Sequence, residues 1–329
     1  MRLWLTILVA VTCAACGTSA TTESAPQDAS TDATAGSDAA TSDTTDDAQG
    51  TDAIALPAPH TDTLGGARPV AVTVPDNWTP EKKWPLVLVL HGYGASGLVQ
   101  SAFLGVEARA TQYGYVTLAP DGTRDPGGSL FWNATPACCD FGNVKVDDVA
   151  YLTGLIDAAI KDLAVDPARV YVVGHSNGGF MAYRLACEKS EKITAIAVIA
   201  GATNPDPTVC GTPKAVNVLH IHGTNDDTIK YDGGTLTISG FGGAAYPSAK
   251  DSMGQWLTRN GCGTTSTSTG TGDFDMGVAG EETERRSYTG CPSGIVVDHW
   301  KMNGAKHIPA FTDDFREALA TWMTARTRP

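Results

Sequence analysis

Between residues 69 and 325, short apolar runs alternate with stretches whose apolar positions recur three or four residues apart. The runs are PVAVTV (69–74), WPLVLVLHGYG (84–94), YVTLAP (115–120), RVYVVGH (169–175), ITAIAVIAG (193–201), AVNVLHIHG (215–223) and SGIVVDHWKM (293–302). Most are apolar on both faces of an extended chain, the pattern of strands covered on both sides of a sheet. Helical spacing is expected over 99–112, over VDDVAYLTGLIDAAIKDL (146–163) with Asp147 or Asp148 as N-cap, and directly after GHSNGG. Two more helices are expected at 248–259 and at TDDFREALATWMTA (312–325), the latter capped by Thr312. Strands alternating with helices imply an α/β fold, a mostly parallel sheet with helices on both faces. The Gly-rich polar segments 231–247 and 263–282 read as surface excursions, and no repeat or second domain stands out.

Composition adds an export signal and a tether. The chain has 329 residues and a formal charge of −13, and eight acids with no Lys or Arg fall within the Ala/Ser/Thr-rich stretch 17–56. Low hydropathy and one sign of charge predict a disordered linker there, and the acidic balance argues against a nucleic-acid partner. The first sixteen residues, MRLWLTILVAVTCAAC, have the length of a signal-peptide apolar region. Ala14-Ala15-Cys16-Gly17 resembles a bacterial lipobox, which makes Cys16 the lipidated residue and implies a membrane tether; plain secretion after cleavage is the other reading. Residues 57–329 then form the catalytic domain. Either route leads to a disulfide-permissive compartment. Of the six remaining cysteines, nearness in sequence favours Cys187–Cys210 and Cys262–Cys291, leaving Cys138 and Cys139 as a vicinal bridge or as thiols. No Cys-x-x-Cys spacing occurs, and neither a metal nor another cofactor is expected.

The candidate chemistry begins at Gly174-His175-Ser176-Asn177-Gly178, a Gly-x-Ser-x-Gly pentapeptide between an apolar run and a helical segment. The glycines permit a sharp turn, and the helix N-terminus favours developing negative charge at Ser176. A serine nucleophile needs a base and an orienting acid. Asp226, with Asp227 as its neighbouring alternative, follows the run 215–223 and falls on the same sheet edge as Ser176. His307 lies in the loop between the last strand and the last helix. His175 is fixed in the turn, His299 falls within a strand pattern, and at least one of His220 and His222 is expected to serve structurally. The order Ser176, Asp226, His307 is that of the α/β-hydrolase fold. The oxyanion donors expected are the N–H of Asn177 and that of Tyr93, within His91-Gly92-Tyr93-Gly94.

The segments LVLHGYGASG, APDGT, FWNATPACCDFGNVKVDDVAYL, VYVVGHSNGGFMAYRLACE and VLHIHGTNDDTIKY together resemble the polyhydroxybutyrate depolymerase/feruloyl esterase group of secreted α/β-hydrolases, from about residue 69 to the C-terminus. The resemblance implies the triad Ser176, Asp226 and His307, a Cys187–Cys210 bridge, and a position close to the cleft for Phe131, Trp132 and Asn133; a packed loop is the competing reading of those three. Relatives often read Gly-Gly-Gly-His-x-Trp-Pro at the base, where this chain reads Gly304-Ala305-Lys306-His307-Ile308-Pro309. The function expected is a serine esterase acting on polyester or on feruloyl- or acetyl-carbohydrate esters. A prolyl-oligopeptidase-type serine peptidase and a catalytically silent surface binding protein are the alternatives.

Overall fold

The computed structural model describes residues 60–211, 213–238 and 241–328. The expected signal segment, Cys16 and the acidic linker 17–56 lie outside the described residues.

Fourteen strands are described: β1 (Thr63–Leu64), β2 (Val70–Thr73), β3 (Trp84–Leu90), β4 (Val116–Leu118), β5 (Thr123–Arg124), β6 (Leu130–Phe131), β7 (Val165–His175), β8 (Ala195–Ile199), β9 (Asn217–Gly223), β10 (Gly234–Ile238), β11 (Phe241–Tyr246), β12 (Ser266–Gly272), β13 (Thr283–Tyr288) and β14 (Val297–Met302). The α-helices are α1 (Gly97–Leu104), α2 (Ala110–Tyr113), α3 (Asp148–Asp162), α4 (Asn177–Glu188), α5 (Ala249–Asn260) and α6 (Asp313–Thr324). Ten strands form one sheet in the order β1-β2-β4-β3-β7-β8-β9-β14-β13-β12. Its six central strands, β4 through β14, run parallel, and the outer strands at both ends are antiparallel. Each buried strand feeds both faces because its side chains alternate. Leu86, Leu88, Val170, Val172, Ile196 and Val218 pack beneath α3, α4 and α5, whereas Val87, Val89, Tyr171, Val173, Ala197 and Leu219 face α1 and α6.

The helix expected over 99–112 is broken. It ends at Gly105, in the left-handed region at φ 65°, passes through a short 3-10 turn (Glu107–Arg109) and resumes as α2. The caps at Asp147 and Thr312 form as expected, each side chain accepting from the backbone N–H three residues on. The two segments read as surface excursions carry strands. Residues 231–247 hold the β10–β11 hairpin, and 263–282 hold β12, which pairs with β13 and extends the sheet. The cysteines pair as Cys138–Cys139, Cys187–Cys210 and Cys262–Cys291; the last joins the two ends of the β12–β13 hairpin.

Candidate active site

The chain builds outward from β3 to β4 and then returns to add β7 on the other side of β3. Loops leaving β3 and β7 therefore diverge at the carboxyl edge of the sheet, which opens a crevice between them. Ser176 stands at this crevice, directly after β7 and at the N-cap of α4, with φ 54° and ψ −121°. Few L residues adopt that conformation, and it is held by neighbours on all sides. The Ser176 N–H donates to Ile199 O at 2.9 Å, and its carbonyl accepts from Gly179 and Phe180. A Cβ on Gly174 would overlap the Gly178 carbonyl, and one on Gly178 would overlap that of Leu90, so only glycine fits at both positions. Among the described residues the Ser176 side chain caps no backbone group and stays available.

Asp226 and His307 meet at the same edge. His307 Nδ1 donates to Asp226 Oδ2 at 2.8 Å, and the Asp226 carboxylate is fully buried. The other oxygen, Oδ1, accepts from the N–H groups of Thr228 and Ile229 at 2.9 and 2.8 Å. Burial opposes charge on Asp226, but hydrogen bonds from His222 and His307 outweigh it and hold the carboxyl well below the usual range. Asp227 is exposed and, among the described residues, its carboxylate bonds only Thr228, which separates the two candidates. With its Nδ1 proton committed to Asp226, His307 presents a free lone pair at Nε2.

His175 has a role that its place in the turn did not reveal. Its Nε2 donates to the His307 carbonyl at 2.8 Å, and the two rings lie 4.9 Å apart. Burial, with the nearby His307 adding to it, lowers the His175 pKa to about 4, so it is a neutral brace for the His307 loop. This is also the contact that ties His307 to the serine turn, because Ser176 Oγ and His307 make no direct hydrogen bond among the described residues. Hydrogen bonds of this type commonly tighten only when substrate binds.

The loop after β3 lies against the serine: a side chain at Gly92 would sit 3.4 Å from Ser176 Cβ. Gln100 accepts from the Gly92 N–H at 3.1 Å, and buried His91 bonds the Gly92 carbonyl at 2.7 Å through Nδ1 and accepts from Gly122 N–H at 2.9 Å through Nε2. Among the described residues, the backbone N–H groups of Tyr93 and Asn177 donate to no acceptor. The Asn177 side chain is buried and clamps Trp132, accepting from its N–H at 2.7 Å and donating to its carbonyl at 2.9 Å. Phe131 and Trp132 are completely buried, so they do not line the cleft as expected; they are packed under it, and the indole N–H bonds the His91 carbonyl at 3.1 Å. Asn133 lines the wall of a cavity. That cavity, about 720 Å³, is also lined by Thr135, Cys138, Phe141, Arg184 and Asn204, and by neither Ser176 nor His307.

A strained serine at a strand–helix turn, a donor loop beside it and a His–Asp pair at one sheet edge can be set beside known proteins. Residues 78–239 match the phospholipase/carboxylesterase family. Feruloyl esterase B of Piromyces equi is 27% identical over 243 residues, covering 73% of this chain and 42% of that protein. Over residues 78–239 the chain is similar to the phospholipase/carboxylesterase family, and its sheet order with the strand–turn–helix at Ser176 is that of the α/β-hydrolase fold. The chain is also 27% identical over 266 residues to a bifunctional acetylxylan esterase/xylanase of Neocallimastix patriciarum, covering 78% of the chain and 34% of that protein. It thus spans less than half the length of either relative. An acetyl xylan esterase from Aspergillus awamori shares the fold, with a TM-score of 0.54 at 13% identity over 80% of this chain and 96% of that one.

Proposed function

We propose that this hydrolase is an exported serine esterase that cleaves carboxylic esters of carbohydrates, with Ser176 as nucleophile, His307 as base and Asp226 as orienting acid. The observation that carries the reading is the 2.8 Å bond from His307 Nδ1 to the buried Asp226 carboxylate, on the same sheet edge as Ser176. His307 Nε2 takes the proton as Ser176 Oγ adds to the ester carbonyl. The oxyanion is met by the N–H groups of Asn177 and Tyr93, each contributing about 3 kcal/mol of transition-state stabilisation. Collapse expels the alcohol, which leaves with the proton from His307. Water then adds to the acyl-enzyme by the same route and frees the acid.

The acylated-carbohydrate class is supported by the names of the two curated relatives and by the polar walls of the 720 Å³ cavity. Asn177, which follows Ser176, brings its side-chain amide to 3.6 Å from the Sγ of Cys138, one of the residues lining that cavity. Ile308, beside the base, and Leu98 and Val99, just past the donor loop, are exposed and suit an apolar acyl group. A hydroxybutyrate polyester is the second substrate class, suggested by the same apolar residues. Export, with a lipid on Cys16, rests on the first sixteen residues and makes the acidic linker a tether. Purified protein should release ferulate from methyl ferulate or acetate from acetylated xylan faster than hydroxybutyrate from its trimer. Turnover of none of the three by wild type, or equal turnover by Ser176→Ala, would refute the reading.

A further inference from the structure

β9 carries two histidines, His220 and His222, whose two-residue spacing puts both rings on the sheet face covered by α4 and α5. Val216 and Val218 occupy the same face one and two steps earlier. Both imidazoles are buried, at 0% and 2% exposure. Each is bonded in series. Tyr183 of α4 reaches His220 Nδ1 at 2.9 Å, His220 Nε2 reaches His222 Nδ1 at 3.2 Å, and His222 Nε2 reaches the Ile229 carbonyl at 2.7 Å and Asp226 Oδ2 at 3.4 Å.

The far end of this series fixes its protons. A carbonyl and a carboxylate only accept, so His222 Nε2 carries a hydrogen. With that single proton at Nε2, His222 accepts at Nδ1, which makes His220 the donor at Nε2 and the acceptor at Nδ1. Tyr183 therefore donates. Burial agrees with this assignment: it keeps the Tyr183 phenol protonated, and it pushes His220 well below the ordinary histidine range, with His222 and His299 adding to the effect. Every donor in the series thus points toward Asp226, and hydrogen bonds aligned in this way polarise one another.

We propose that His222, backed by His220 and Tyr183, is a positioning residue that fixes Asp226 and, through it, tunes the basicity of His307. The proposal rests on reading Asp226 and His307 as the acid–base pair. His222 acts on the carboxylate from two directions. It holds the carbonyl of Ile229, the residue whose N–H binds Asp226 Oδ1 at 2.8 Å. It also shares Oδ2 with His307, and a donor there draws off carboxylate charge that would otherwise stabilise the His307 imidazolium. Other charged or titratable groups face this centre: His299 and Lys301 from β14, with Glu284 and Arg286 from β13 behind them, Tyr231 after the Asp226 loop, and His175 from β7. A packing role alone would be met by another valine, without the cost of burying two imidazoles and a phenol.

The test compares His222→Leu, His222→Gln and Tyr183→Phe in the full chain, by kcat and KM for p-nitrophenyl acetate across pH 5–9. His222→Leu leaves Asp226 charge undivided, and its acid limb should move to higher pH by roughly half a unit or more. Its kcat should fall on the order of tenfold, with KM little changed. His222→Gln keeps a donor near the Nε2 position and should return the limb toward wild type. Tyr183→Phe removes the distal donor and should shift the limb in the same direction by less. An unmoved acid limb in His222→Leu overturns the proposal, whatever happens to stability. If that variant does not fold, an unmoved limb in Tyr183→Phe does the same. Fluorophosphonate labelling of wild type is the separate check: absence of an adduct at Ser176 removes the acid–base pair and the proposal with it, whereas an adduct with unmoved limbs overturns the proposal alone.

Discussion

His299 offers a quantitative test of how this fold buries titratable groups. It sits within β14, 8% exposed, between the stacked ring of Tyr231 at 6.0 Å and His220 at 5.8 Å. Burial first, with the nearby His222 and Lys301 adding to it, lowers its pKa to about 4. An unfolded histidine titrates near 6.5. Between those values the unfolded chain holds a proton that the folded chain refuses, so stability falls as pH drops from about 6.5 toward 4 and levels off below. For an unfolded value near 6.5 and a folded value near 4, going from pH 7 to pH 5 removes about 2 kcal/mol through this one group. His175, also at about 4, has the same window. Asp226 acts in the same sense but in a lower window: its lowered pKa stabilises the fold above the ordinary carboxylate value, and that contribution is lost only below about pH 4. Urea unfolding at pH 7, 6 and 5 reads the slope. His299→Gln changes absolute stability, but it should also flatten the wild-type loss between pH 7 and pH 5 by about 2 kcal/mol. Parallel wild-type and variant profiles would refute the argument that His299 is buried neutral.

Two further outcomes test the frame around the site. Ser176→Gly relieves a positive φ of 54° and should raise unfolding stability by about 1 kcal/mol while abolishing turnover; a destabilised variant in urea melts would show that the turn is unstrained. Replacing both Cys187 and Cys210 by serine opens a crosslink with a sequence separation of 23 and should cost about 3 kcal/mol; an unchanged midpoint would show that this crosslink contributes nothing.

The central strands were legible because a strand covered on both faces is written as an unbroken apolar run, as in WPLVLVL and the NVLHIHG stretch. The edge of the sheet was not. β12 reads STSTGTG and is exposed over most of its length, so it carries no apolar alternation and looks like a loop. The break at Gly105 was hidden by helical spacing that continues on both sides of it. At the site, Ser176 announces itself through adjacent glycines, whose need is local. Asp226 and His307 could be proposed from where their loops fall in the strand order. The supporting contacts could not, because they join residues far apart in the chain: Asn177 with Trp132, 45 positions away, and His175 with the His307 carbonyl, 132 away. Phe131 and Trp132 carry a related lesson. Aromatic residues near a site favour a cleft reading, whereas here the two side chains are completely buried and a backbone clamp holds the loop.

The most direct test of the central claim is mass mapping of the full chain after reaction with a fluorophosphonate. The account predicts a single adduct on Ser176, lost in His307→Ala and accompanied by loss of ester turnover. An adduct on another residue, or undiminished turnover with Ser176 replaced by alanine, would contradict it.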